Sequence, residues 1–382
     1  MNIKEILGKI DKRFFNQPTV VTLRPKGTPK GRVLFSYLIE PFFLTENAGR
    51  WRSHTNLWES REMARVVLEG GYEVDVIHYQ NDAFVPKKKY DYFIFHYNPG
   101  AALPDCLPKA CRKFLHITGS YWEFRNNGAA KRLRDLEQRK KVTLFANRNK
   151  IAPNTALKIV EAATMMGNDF TIGTYESCGL KMHRIYSSPS VDENFSCQRN
   201  HDEARRNFIW LGSGGFVLKG LDLVLEAFSH MPHLHLDVFG PVEGDMDFIE
   251  VYRRELYETS NITMHGWVDV GGERFKKIVE CAVAIVYASC SEGSSTGVIN
   301  CMHMGLIPIA SYQSGVDMGD VGIVLKECSI DEIKGAVEKV SQMSAHELEE
   351  RSKAAAALAR SRYTRSAFRK SYKKFVDSVM GW

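Results

Sequence analysis

The stretch from Ala282 to Asn300 limits what this chain can fold into more than any other. An apolar run, Ala282 to Tyr287, reads as a buried strand. It is followed by a loop of small and polar residues, Ala288-Ser-Cys-Ser-Glu-Gly-Ser-Ser-Thr-Gly297, that holds one carboxylate, Glu292. Val298, Ile299 and Met302 then fall at helical spacing, and Gly305 ends the helix. Strand, Gly/Ser loop and helix in succession is how an open α/β sheet builds a crevice at its carboxyl edge. The unpaired N–H groups at such a helix start suit a phosphate, and a lone carboxylate beside them suits a neutral or cationic group. The pattern is that of a sugar-phosphate site.

The same grammar runs through most of the chain. Strands are expected at Val33 to Ile39, Val74 to His78, Tyr92 to His96 and Phe114 to Ile117, and again at Phe170 to Thr174 and His183 to Tyr186. Helices are expected from Thr55, its candidate cap, to Gly70-Gly71, over Ala129 to Lys141 with a solvated charged face, and over Asn154 to Thr164. The second half repeats the alternation with strands at 208–211, 234–239, 262–265, 282–287, 306–310 and 323–325. Helices alternate with them at 219–228, 249–258 and 275–280, and three close the chain at about 330–342, 345–360 and 364–379. This predicts an α/β protein of two Rossmann-like, doubly wound parallel-sheet domains facing a cleft. The expected division is a basic arm over 1–30, a first domain over 31–195, a second over 196–360, and a C-terminal helix over 361–382 that packs back on the first domain.

Composition removes several function classes. The 382 residues are 44% hydrophobic and 25% charged, enough for ordinary cores. A net charge of +6 favours anionic ligands but is too small for a nucleic-acid binder. No apolar run reaches membrane-span length and the N-terminus lacks a signal-peptide core, so a cytoplasmic protein is expected. The eight cysteines are scattered without a CxxC pair, which argues for reduced thiols rather than zinc or disulfides. The Arg- and Lys-rich tail (Arg360 to Lys374) leaves open peripheral contact with an anionic membrane at its inner face.

Lys219-Gly-Leu-Asp222, the Glu292-Gly293 loop and Met304-Gly-Leu-Ile-Pro308 resemble the C-terminal half of the retaining glycosyltransferases of family 4, which have the GT-B fold. The resemblance covers most of residues 207 to 325, and in the first half its best local match is His54 to Ala64. It implies transfer of a sugar from a nucleotide-diphosphate sugar to a glycan or lipid-linked acceptor hydroxyl, with retention, without a metal, and with no cofactor beyond the donor. Polysaccharide or glycoconjugate synthesis is the setting it implies. Lys219 would hold the diphosphate and stabilise the leaving group, and Glu292 would meet the donor sugar near its reacting carbon.

Donor contacts are expected from Gly212, Ser213, Gly214 and Gly215, from Trp267 and Val268 beside the base, from Gly293, Ser294, Ser295, Thr296 and Gly297, and from Asn300 at the ribose. The acceptor side is expected at His54, Asn56, His116, Thr118 and Ser120, with the loop from Glu46 to Arg52 closing over substrate. Two positions depart from the family: Asn300 stands where a second Glu is usual, and Gly214 where many members carry Arg. These departures keep two other readings open, a nucleotide-sugar epimerase and a catalytically silent nucleotide-sugar-binding relative.

Overall fold

The structure is a computed structural model, and it describes residues 20–44, 54–97, 103–144, 150–195 and 198–381. The candidate closing loop 46–52 and most of the expected N-terminal arm lie outside these residues.

Two sheets organise the chain. The first contains β1 (Val21–Leu23), β2 (Arg32–Tyr37), β3 (Glu73–His78), β4 (Tyr92–His96), β5 (Arg112–Ile117), β6 (Ala162–Met166) and β7 (Lys181–Ile185), in the order β1-β3-β2-β4-β5-β6-β7. Only β1 runs antiparallel, with Val21 opposite Val76, so part of the expected arm is an edge strand instead. The second sheet contains β8 (Asn207–Leu211), β9 (His235–Phe239), β10 (Ile262–Gly266), β11 (Ala284–Tyr287), β12 (Ile307–Ser311) and β13 (Ile323–Leu325), in the order β10-β9-β8-β11-β12-β13, all parallel. Strand order reverses between β2 and β4 in the first sheet and between β8 and β11 in the second. Ligands of open α/β sheets bind at the carboxyl side of such reversals.

Helices α1 (Thr55–Glu69), α2 (Trp122–Lys140), α3 (Asp169–Gly173), α4 (His201–Ala204), α5 (Leu221–Ser229), α6 (Met246–Tyr257), α7 (Glu273–Glu280) and α8 (Thr296–His303) connect the strands. The chain closes with α9 (Ile330–Ser341), α10 (Ala345–Arg362) and α11 (Arg365–Met380). Helix α11 returns to the first sheet. Phe368, Tyr372, Phe375 and Val376 are buried with Val33, Phe35, Val74 and Phe114, and Arg369 pairs with Glu62 and Glu69 of α1.

Four local expectations are corrected. His54, not Thr55, is the N-cap of α1. The helix expected over 154–164 is a short 3-10 turn, Thr155–Lys158, followed by strand β6. Every residue of β6 is buried between β5 and β7, so sheet pairing overrides the helical preference of its two alanines. The strand expected at 170–174 is helix α3, capped by Asn168 Oδ1, which accepts the Thr171 N–H at 3.0 Å.

The fourth correction concerns α2, which starts at Trp122 rather than Ala129 and whose charged face is not simply solvated. Gly128, Arg132, Leu136 and Arg139 fall on one helical stripe that meets the second domain. Gly128 admits the Cys290 side chain, where a Cβ would stand 3.4 Å from its sulfur, and Leu136 joins the second core. Arg132 donates to the Ala288 carbonyl at 2.7 Å. Arg139 reaches Asp222 at 2.7 Å and Glu226 at 3.2 Å, and Lys140 reaches Glu255 at 2.6 Å. Burial pushes Asp222 up to about 6, against the pull of Arg132 and Arg139.

Candidate functional site

Lys219 and Glu292 meet at the β8/β11 reversal. Lys219 lies in the turn before α5, two residues ahead of the first helical residue, Leu221, because Gly220 takes a left-handed φ of 74° as the N-cap of that helix. A side chain at Gly220 would collide with Ala288, and one at Gly297 would stand 2.6 Å from the Leu211 carbonyl oxygen. Two glycines therefore let the turn before α5 and the start of α8 close on the two strand ends. The Leu218 carbonyl adds a link by accepting the Cys290 N–H at 2.9 Å.

The Lys219 ammonium pairs directly with Glu292 Oε1. The Tyr287 hydroxyl, at the last residue of β11, donates to the same oxygen at 3.0 Å and stands 3.2 Å from Lys219 Nζ. Burial works against the lysine charge, yet Glu292 and Tyr287 together hold its pKa above the usual range. Burial and then Glu292 raise the Tyr287 phenol, so it stays a donor. The trio is a cation and an anion that share the Tyr287 hydroxyl. Above it, Ser295 Oγ caps α8 through Val298 N–H at 3.5 Å, while the amides of Thr296 and Gly297 have no partner among the described residues.

Across the cleft the first domain touches this loop. Gly293 leaves no room for a side chain against the Thr118 carbonyl, Ser120 and Ser291 share a hydroxyl hydrogen bond, and Thr171 Oγ1 donates to the Gly293 carbonyl at 3.3 Å. Asn168 Nδ2 donates to the Tyr312 carbonyl at 2.8 Å, and Arg184 pairs with Asp317.

The expected residues distribute unevenly over this geometry. Lys219, Glu292, Gly293, Ser294, Ser295, Thr296 and Gly297 gather at one point, and Gly212, Ser213, Gly214 and Gly215 follow β8 beside them. Trp267 is 47% exposed at the end of β10, with Val268 beside it. Asn300 does not open to the cleft. It is buried, and its side-chain carbonyl accepts the Ser190 N–H at 2.9 Å. On the first domain, His116, Thr118 and Ser120 line a pocket of about 260 Å³, whereas His54 and Asn56 are exposed at the start of α1 and do not line it.

Sequence reasoning gave no role to Tyr287, although it stands inside the stretch that opened the reading. It also passed over His96, which ends β4 one strand away from His116 on β5 and lines the same pocket.

Comparison with solved structures assigns the fold to the GT-B class. The chain is similar to sucrose-phosphate synthase from Thermosynechococcus elongatus, with a TM-score of 0.64 and 10% identity over 92% of this chain and 100% of that one. It is similar to Anabaena HepE, solved with UDP and glucose, with a TM-score of 0.58 and 12% identity over 91% and 100%. A variant of S. aureus TarM, solved with fondaparinux, alpha-GlcNAc-glycerol and UDP, gives a TM-score of 0.56 and 10% identity over 80% of this chain, which spans 60% of the TarM chain. No protein-family model matches the sequence, and no curated protein matches it.

Proposed function

We propose that this protein is a retaining glycosyltransferase of the family 4 type, moving a sugar from a nucleotide-diphosphate sugar to an acceptor hydroxyl in polysaccharide or glycoconjugate synthesis. The observation that carries the reading is the Lys219–Glu292–Tyr287 trio at the strand reversal of the second sheet, facing the first domain. The solved relatives add support, since two of the three were captured with UDP.

In this reading the diphosphate takes the Lys219 ammonium and the Thr296 and Gly297 amides. The ammonium stabilises charge that builds on the leaving diphosphate. Glu292, released from Lys219, meets the hydroxyls of the donor sugar and offsets the positive charge at its anomeric carbon. Closure of Thr118 to Ser120 over Gly293 keeps water from that carbon. The ribose contact moves away from Asn300, whose carbonyl is already engaged.

The test is incubation of the protein with a panel of UDP-, GDP- and CMP-sugars while following nucleotide release. Transfer or slow hydrolysis supports the reading, isomerised donor supports an epimerase, and binding without turnover supports a silent relative.

A further inference from the structure

Strand β6 ends at Met166, and Gly167-Asn168 turn the chain into α3. Asn168 is fully buried. Its Oδ1 accepts the Thr171 N–H at 3.0 Å and lies 3.1 Å from the Thr171 hydroxyl. These two donors fix which way the amide points. Its Nδ2 faces the second domain and donates to the Tyr312 carbonyl at 2.8 Å. Capping α3 needs only the oxygen, which Asp, Ser or Thr would supply equally well. The Nδ2 donor is what an amide adds, and it is directed across the gap between the domains.

That bond lands on the turn that holds Glu292. Tyr312–Ser314 is a 3-10 turn directly after β12. The Gln313 carbonyl accepts the Glu292 N–H at 2.9 Å, and the Ser314 carbonyl accepts the Ser295 N–H at 2.9 Å. Backbone on both sides of Gly293 is thus fastened to this turn. Gly167 and Gly315 both close on the Gly293 carbonyl, and a side chain at either would collide with it. The start of α3 adds two contacts: the Phe170 ring meets Tyr312 edge-on at 6.0 Å, and the Thr171 hydroxyl lies 3.3 Å from the Gly293 carbonyl.

The loop from Ala288 to Gly297 is built of Ala, Ser, Cys, Gly and Thr around one Glu. Side chains this small bury little apolar area, so hydrogen bonds to neighbours set where the loop lies. The chain of bonds runs from Asn168 to the Tyr312 carbonyl, through one residue of turn to Gln313, and on to the Glu292 amide.

We propose that Asn168 is a positioning residue for Glu292: from the first domain it holds the Tyr312–Ser314 turn, and through that turn the backbone that aims the carboxylate. That the aimed carboxylate meets a donor sugar rests on the glycosyltransferase reading; the mechanical link does not.

The full-length parent is compared with Asn168→Ser and Asn168→Asp, which both keep a cap for α3 and lose the donor, and with Asn200→Ser, the same change at the cap of α4. Hydrogen exchange is read by mass spectrometry on peptides covering 288–296, β8 and β12. Turnover is followed with the panel of UDP-, GDP- and CMP-sugars, and UDP and GDP affinity by calorimetry. In both Asn168 variants the Glu292 and Ser295 amides should exchange about tenfold faster while β8 and β12 exchange as in the parent, and Asn200→Ser should change neither. Turnover at saturating donor should fall about tenfold or more, with donor KM and diphosphate affinity within about twofold of the parent, because Lys219 stands on a different turn. Unchanged exchange at Glu292 in both variants, faster exchange spread over the whole second domain, or turnover and diphosphate affinity falling together each overturns the proposal. If the parent turns over no donor, the glycosyltransferase reading fails, and the exchange measurement alone decides the Asn168 link.

Discussion

Asn300 Oδ1 accepts the backbone N–H of Ser190 at 2.9 Å, fastening the first turns of α8 to the segment that joins the two sheets. Both residues are buried. Replacing Asn300 with Ala strands a buried amide, so Asn300→Ala should lower unfolding free energy by about 1–3 kcal/mol. Denaturant unfolding checks this. Nucleotide affinity should change little, because the side chain is already engaged.

Lys219 and Glu292 form one unit and should fail as one. Lys219→Met leaves the Glu292 carboxylate at 19% exposure with only Tyr287, and should cost about 2 kcal/mol, below the range for fully buried pairs because both side chains keep some exposure. The double variant Lys219→Met/Glu292→Gln should be more stable than the sum of the singles predicts. In activity, Lys219→Met should reduce nucleotide release by about 100- to 1000-fold at saturating donor. Unchanged turnover there would remove the lysine from the chemistry.

Glu59 sets a pH dependence of stability. It is buried in α1, accepts Ser188 N–H at 3.0 Å and Ser188 Oγ–H at 2.9 Å, and burial still lifts it to about 7 against those bonds. A carboxyl with a raised folded pKa binds its proton more tightly folded than unfolded. Its contribution is therefore full at low pH and is lost as pH rises from the unfolded value through about 7. Relative to Glu59→Gln, the parent should lose on the order of 2–3 kcal/mol between pH 4.5 and 7.5. A pH-independent difference between the two would show that folding leaves the Glu59 pKa at its unfolded value.

Gly293 has no space for a methyl group against Thr118. Gly293→Ala should push the first domain off the Ser291–Gly293 loop, increase the radius of gyration in solution scattering, and raise hydrolysis of the donor relative to transfer. An unchanged scattering profile would mean that the interdomain contact is not needed for the closed form.

The sheets were legible because their strands are apolar runs separated by glycine-containing turns, as from Phe208 to Gly212 and from Ala282 to Gly293. The region from Asn154 to Thr174 misled because Ala162-Ala163 and Phe170-Thr-Ile172 carry local preferences that sheet pairing and the Asn168 cap override. The meeting of Lys219 with Glu292 was legible as a shared strand edge. The engagement of Asn300 by Ser190 was not, since it joins residues 110 positions apart. The docking face of α2 escaped for a related reason. Arg132 and Arg139 have the spacing of a solvated helix, and only the partners Ala288, Asp222 and Glu226 reveal an interface.

The most direct measurement of the central claim, that the Lys219–Glu292 junction is a diphosphate grip, is calorimetric titration of parent and Lys219→Met with nucleoside mono- and diphosphates. The parent should bind one diphosphate, UDP or GDP, about tenfold or more tighter than its monophosphate, and Lys219→Met should abolish that preference. Equal binding of mono- and diphosphate by the parent, or the same preference in the variant, would contradict it.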